Sequence, residues 1–201
     1  MMERVGMAGE NVTPPAVRRS RGDWYDAVYE RREAAGENVH GEADFIMSLE
    51  PGSVLDAGCG TGRVGRELSR RGIRVCGVDI DPEMLETARR KSPDVMWIRH
   101  DLGLVRLDEQ FDLVLMAGNV INFIVPDRRA KAVANMADHV RAGGFLVDGH
   151  SIKPTETQVS DYDQWAAKDG LQLVGRWSTW QRDPFDETSV FAVSVFRKLE
   201  A

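Results

Sequence analysis

Asp56, Gly58, Gly60 and Gly62 fall at every second position of the stretch Val54-Leu55-Asp56-Ala57-Gly58-Cys59-Gly60-Thr61-Gly62. Glycine has no Cβ and tolerates positive φ, so a ligand can lie directly against a backbone built this way. The free N–H groups of a following helix, and the positive end of its dipole, favour an anionic or carboxylate-bearing ligand. Asp79 comes about 20 residues later, the separation at which a carboxylate accepts hydrogen bonds from ribose hydroxyls. Two more polar ends follow apolar runs, at His100-Asp101-Leu102 and at Ala117-Gly118-Asn119. The glycine spacing is Gly-x-Gly-x-Gly. The Gly-x-Gly-x-x-Gly turn that suits NAD would need a glycine where Arg63 stands.

The elements that must position these residues alternate along the chain. A buried strand at Ser53–Ala57 leads through the glycines into a helix over 63–71, stopped by Gly72 at the C′ position. Residues 73–79 read as the second strand. Asp81-Pro82 then supplies an N-cap and an N1 proline for a helix that turns Met84, Leu85 and Ala88 inward and ends in Arg89-Arg90-Lys91. Strands are predicted over 95–99 and Phe111–Met116. A helix over 127–141 follows, with Ala130, Val133, Ala134, Ala137 and Val140 on its apolar face, stopped by Gly143-Gly144. A strand over 145–149 and a short helix near 161–168 precede two long strands, 171–180 and 189–198. A turn at Asp183-Pro184-Phe185-Asp186 makes these an antiparallel hairpin. Ahead of this core, residues 1–22 read as a loose tail and 23–50 as a helical lid. Asp23 caps a helix over 24–35, and a second helix over 41–49 buries Phe45, Ile46 and Leu49. Residues 51–201 form the core domain.

Composition narrows the function. The 201 residues suit one domain, and a net charge of −6 argues against broad nucleic-acid binding, which relies on Lys and Arg neutralising phosphates. The sequence clusters Arg63, Arg66, Arg70, Arg71 and Arg74, read as a solvated helix face. Only two cysteines occur, Cys59 and Cys76, without metal-ligand spacing, and four scattered histidines make no metal site. Neither a signal peptide nor a membrane span is expected, and the expected location is cytoplasmic.

The segments VLDAGCGTG (54–62), GVDIDPEML (77–85), HDL (100–102), FDLVLMAGNVINF (111–123) and RAGGFLVDG (141–149) together resemble the class I S-adenosylmethionine-dependent methyltransferases in order and spacing. The resemblance covers about half the chain. It implies an α/β Rossmann-like three-layer sandwich, with a mostly parallel seven-stranded sheet ending in an antiparallel C-terminal hairpin. It also implies S-adenosylmethionine as cofactor and S-adenosylhomocysteine as product. On this resemblance Gly58, Cys59, Gly60 and Gly62 lie against the methionine part of the cofactor, and Asp56 anchors its amino group directly or through water. Asp79 holds the ribose hydroxyls, Ile80 and Met84 flank the adenine, Asp101 accepts its amino group and Leu102 lines the ring. Gly118 and Asn119 lie near the sulfonium. The blander accounts make Asp56 and Asp79 strand-end caps, Asp101 turn chemistry, Met84 core, Cys59 a spacer and Arg63 a surface residue.

The acceptor side is less marked. Asn119, Asn122 and Phe123 resemble the stretch that faces the methyl group in the family, without the Pro-Pro-Tyr/Phe ending of enzymes that methylate base amino nitrogens. His150 follows the fifth strand and is the candidate general base, beside the blander account of a loop histidine. Tyr25 and Tyr29, with Trp24 before the core and Trp165, Trp177 and Trp180 after it, are candidates to roof a planar or apolar acceptor. Methyl transfer to a small molecule is the expectation. The alternatives are an RNA or protein side-chain methyltransferase and a cofactor-binding module without catalysis.

Overall fold

The computed structural model describes residues 20–200, so most of the expected tail lies outside the described residues. The chain runs α1 (Arg21–Ala34), α2 (Gly41–Met47), β1 (Ser53–Ala57), α3 (Arg63–Arg70), β2 (Arg74–Asp79), α4 (Pro82–Lys91), β3 (Met96–Arg99) and β4 (Phe111–Met116). It continues with α5 (Val120–Phe123), α6 (Pro126–Asp138), β5 (Val140–Ser151), α7 (Val159–Lys168), β6 (Leu171–Trp177) and β7 (Phe191–Lys198). One seven-stranded sheet has the order β3-β2-β1-β4-β5-β7-β6. β1 to β5 are parallel, and β7 is antiparallel to both β5 and β6. The expected Rossmann-like sandwich with an antiparallel hairpin is the observed architecture.

Period-two alternation sends each strand's side chains to two cores. Val54, Leu113, Leu115 and Val147 pack with Phe45, Ile46, Leu68, Leu85 and Ala88 beneath α2, α3 and α4. Leu55, Val114, Met116 and Leu146 pack with Val133, Met136, Ala137, Tyr162 and Ala166 beneath α6 and α7. On β3, Trp97 lays its indole against the backbone of neighbouring elements. A Cβ placed at Gly62, Gly65 or Gly77 would come within 2.5, 3.1 or 2.3 Å of its ring.

Several elements differ from expectation, among them the β5 strand, which runs on to Ser151, and the short helix α5, which is not among those predicted. The N-cap of α1 is Ser20, whose hydroxyl accepts from Asp23 N at 3.1 Å, so Asp23 sits in the first turn, where its charge suits the helix dipole. α6 stops at Asp138, three residues early. His139 donates from Nδ1 to Asn135 O at 2.7 Å and accepts from Leu107 N at Nε2, and Val140 already pairs with Phe111 in β5. Gly143-Gly144 therefore lies in a strand irregularity where the register shifts between Phe111 and Leu113, and does not end a helix. The inward face of α6 is Ala132, Val133, Met136 and Ala137, while Ala130 is exposed. The hairpin strands are shorter than predicted, because residues 178–190 fold into a loop of their own pinned by Ser178 N donating to Asp183 O at 3.0 Å.

Candidate active site

The glycine turn joins β1 to α3 at the carboxyl edge of the sheet. Gly58 N and Cys59 N both donate to Val78 O, at 2.7 and 3.1 Å, and Gly62 N donates to Cys59 O at 2.8 Å. The three glycines have φ of 81°, 53° and 71°. They do different jobs. A Cβ at Gly58 would sit 2.5 Å from the Val120 side chain, and one at Gly62 would strike Trp97. A Cβ at Gly60 would meet nothing within 4 Å, and the same holds at Gly118 (φ 80°) after β4. Gly58 and Gly62 thus allow close packing, whereas Gly60 and Gly118 border open space.

Carboxylates surround this turn. Asp79 Oδ2 accepts from Gly60 N and its Oδ1 from Asp81 N, both at 2.8 Å, which leaves each oxygen a further acceptor site. Asp101 Oδ1 accepts from Gly103 N at 2.7 Å, and its Oδ2 lies 3.8 Å from Arg128. Ile80 is 62 % exposed, Met84 half-buried and Leu102 buried. Asp56 points to the α3 face and is buried there, accepting from Gly65 N at 3.0 Å. Burial pushes its carboxyl up to about 7, against the lowering effect of the Gly65 N–H. Cys59 is also buried, and its thiol is raised well above the ordinary value by burial and by the nearby Asp56 and Asp79, an environment that does not favour a thiolate.

On the acceptor side, Asn119 and Asn122 tie the loop after β4 to the end of β5. Asn119 Oδ1 accepts from Ser151 N at 2.6 Å; Asn122 donates to Ser151 O at 2.8 Å and accepts from Thr157 N at 2.9 Å. Phe123 is 83 % exposed. His150 is fully buried, turned to the α7 face of β5 and stacked 5.7 Å from Tyr162, so its ring does not open on the cleft. The parity it shares with Leu146 carries that information. Tyr25 donates to the Tyr29 hydroxyl at 3.2 Å, and the Arg63 guanidinium lies 4.1 Å from the centre of the Tyr29 ring. Arg63 also pairs with Glu42 at 2.5 Å, which together with Tyr29 and Tyr25 holds it above its usual range although burial opposes this. Arg63 is therefore no free surface residue. Trp180 covers Gly149 and meets Phe45 edge-on at 5.5 Å. Trp177 packs against Phe45 at 5.4 Å.

The buried polar contacts of α1 carried no signal in the sequence. Asp26, 3 % exposed, accepts from the Thr61 hydroxyl inside the glycine turn at 2.5 Å. Among the described residues no cluster of three or more His, Cys, Asp or Glu side chains is placed to hold a metal. Gly60 and Gly118 each border open space, Asp79 keeps spare acceptor capacity, and Asp101 is half-exposed. Among the described residues no helix is long and apolar enough to cross a membrane.

A family model described as a methyltransferase domain matches residues 54–144. A solved TehB-like SAM-dependent methyltransferase from Corynebacterium glutamicum is 35 % identical, with a TM-score of 0.81 over 88 % of this chain and 97 % of that one. A malonyl-[acyl-carrier protein] O-methyltransferase from Serratia marcescens is 36 % identical over 151 residues, 75 % of this chain and 56 % of that protein. A dTDP-3-amino-3,4,6-trideoxy-alpha-D-glucopyranose N,N-dimethyltransferase from Streptomyces venezuelae is 27 % identical over 161 residues, 77 % of this chain and 65 % of that protein. The chain thus spans less than two thirds of the length of these two curated relatives. With the glycine turn, the acidic strand ends and the sheet order in agreement, the chain belongs to the class I S-adenosylmethionine-dependent methyltransferases.

Proposed function

We propose that this protein transfers a methyl group from S-adenosylmethionine to a small-molecule acceptor, leaving S-adenosylhomocysteine. The observation that carries this reading is the positive-φ Gly60, bordering open space and bonded through its N–H to the Asp79 carboxylate, with a second open positive-φ glycine, Gly118, at the end of β4. Asp79 receives the ribose hydroxyls, and Asp101 the adenine amino group. Ile80, Met84 and Leu102 flank the ring, and Asn119 lies toward the reacting end. Asp56 supports the turn from beneath through Gly65 and reaches the amino group of the cofactor through water. Tyr25, Tyr29 and Phe123 belong to the acceptor side, with α1 and α2 as the lid.

The cofactor supplies an activated methyl group on a sulfonium, so the chain's own task is to bind, align and exclude water. Alignment alone contributes on the order of 7–11 kcal/mol in favourable cases. His150, enclosed between Asp148 and Thr157, is a structural group in this reading. Relatives named for a sugar nucleotide and for malonyl-[acyl-carrier protein] support a small acceptor group, as does the net charge of −6. Two unpaired, buried thiols support a cytoplasmic setting.

The deciding experiment incubates the protein and methyl-labelled S-adenosylmethionine with a metabolite extract, total RNA and a protein fraction in separate reactions. Label entering the metabolites is the expected result. Label confined to RNA or to protein would overturn the small-molecule assignment. Tight S-adenosylhomocysteine binding without transfer to any fraction would leave a cofactor-binding module instead.

A further inference from the structure

Two carboxylates grip the glycine turn at successive residues. Asp79 holds Gly60 N–H from the sheet, and Asp26 holds the Thr61 hydroxyl from α1. Thr61 is 1 % exposed and stands between two glycines with positive φ, where the backbone has little intrinsic preference. Asp26 also accepts from Arg66 at 3.2 Å and Lys91 at 2.5 Å, so a single buried side chain joins α1 to the turn, to α3 and to α4.

Beside the half-buried Tyr25 and Tyr29, the latter with its ring against Arg63, much of the remaining docking of α1 is ionic. Its buried residues are Gly22 and Asp26; no large apolar side chain of α1 is buried. Gly22 seats on Thr87, where a Cβ would come within 2.5 Å of the hydroxyl. Arg21 pairs with Asp81, Asp23 with Arg90, and Glu30 with Lys91 at 2.9 Å. Exposed pairs of this kind are individually weak and are screened by salt.

We infer that Asp26 is a positioning residue for the cofactor: through Thr61 it holds the glycine turn in its binding shape, so the docking of α1 sets cofactor affinity. The inference rests on the proposed function and deepens it. It makes cofactor affinity depend on salt through a helix that need not touch the cofactor.

The test is calorimetric titration of the full chain with S-adenosylhomocysteine at about 0.05 and about 0.5 M salt, with Debye lengths spanning the ion pairs. Wild-type affinity falls with salt. Asp26→Ala and Thr61→Val each lower it about tenfold, the scale of one hydrogen bond to a charged group. The double variant loses no more than either single one, Thr61→Ser binds as wild type, and Asp26→Ala loses the salt dependence. A folded Asp26→Ala with wild-type affinity, or single losses that add in the double, would overturn the inference. If Asp26→Ala does not fold, Thr61→Val decides, since it leaves the ion pairs in place. Amide hydrogen exchange of residues 58–62 without ligand is the second readout. Faster exchange in Thr61→Val supports the latch and unchanged exchange refutes it, even if wild type fails to bind S-adenosylhomocysteine, the result that would sink the proposed function instead.

Discussion

His150 and Asp148 form a buried ion pair on the α7 side of β5, with the imidazole Nδ1 against the carboxylate Oδ2. The other ring nitrogen, Nε2, faces the Thr157 carbonyl at 3.2 Å. When Asp148 is ionised both neighbours are acceptors, and the ring then carries a proton on each nitrogen as an imidazolium. Glu156 ahead of α7, Tyr162 and Asp163 on α7, and Arg176 on β6 are further titratable groups around the pair. Burial pushes Asp148 up. It opposes the charge on His150 too, but the Asp148 carboxylate outweighs this and raises the imidazole above its ordinary value.

The pH dependence follows from that direction. A histidine raised in the folded state contributes stability that is complete below its unfolded pKa of about 6.5 and disappears as pH rises through the folded value. Asp148, raised as well, opposes stability in the same sense as pH rises. The melting-temperature gap between wild type and His150→Gln should therefore be widest near pH 6 and close toward alkaline pH. Removing one member of a buried pair should cost about 3–5 kcal/mol. A gap that widened with pH would rule out the imidazolium.

The same burial bears on catalysis. Loss of a true general base lowers the rate about 10²–10⁴-fold. His150→Gln, assayed below its melting range on any acceptor found, should retain kcat within about tenfold and keep the wild-type pH profile. Disappearance of a pKa near neutrality together with a several-hundredfold loss would make His150 the base.

Asp79→Ala removes the acceptor of both Gly60 N and Asp81 N as well as the proposed ribose contacts. Each charge-assisted hydrogen bond is worth about 1.5–3 kcal/mol, so S-adenosylhomocysteine binding should weaken by at least about tenfold. Calorimetry on protein with intact helix content checks this; unchanged affinity would take Asp79 out of the site.

Gly60 and Gly62 should separate binding from folding. Gly60→Ala meets no atom, so its stability cost should be only the roughly 1–2 kcal/mol of a left-handed residue. Its methyl projects into the open space proposed for the cofactor, however, so cofactor affinity should fall sharply. Gly62→Ala adds a collision with Trp97 to the same backbone cost and should lose a further 1–3 kcal/mol or so. Equal melting temperatures for the two variants would contradict this division.

If α1 and α2 form a lid, limited proteolysis should cut between residues 20 and 42 more readily at high salt, and cofactor should protect the segment. Identical cleavage with and without cofactor would mean that the segment is permanently docked.

Where local chemistry decides an element, the sequence alone located it. β1 and β4 match residue for residue, because each is a short, largely apolar run closed by glycine or polar turn residues. Asp81-Pro82 starts α4 as capping requires, with the Asp81 carboxylate accepting from Glu83 N at 3.0 Å. The α6–β5 boundary was illegible because it depends on Leu107 reaching His139 across 32 positions. In the site, the glycines and strand-end aspartates have their spacing as a signature. Asp26 has none: its partners Thr61, Arg66 and Lys91 are 35 to 65 residues away and meet only once the sheet has formed.

The indole of Trp97 rests against Gly62, Gly65 and Gly77, which come from a turn, a helix and a strand. These three positions are thereby bound to a fourth in their capacity to vary. Alanine at 77 is closed while the ring stands there, and a shorter side chain at 97 leaves Cys59 Sγ, 3.0 Å away, as the nearest atom crowding it. Gly62 stays closed even then, because its backbone lies at φ 71°. For position 77, change therefore has an order, and position 97 comes first.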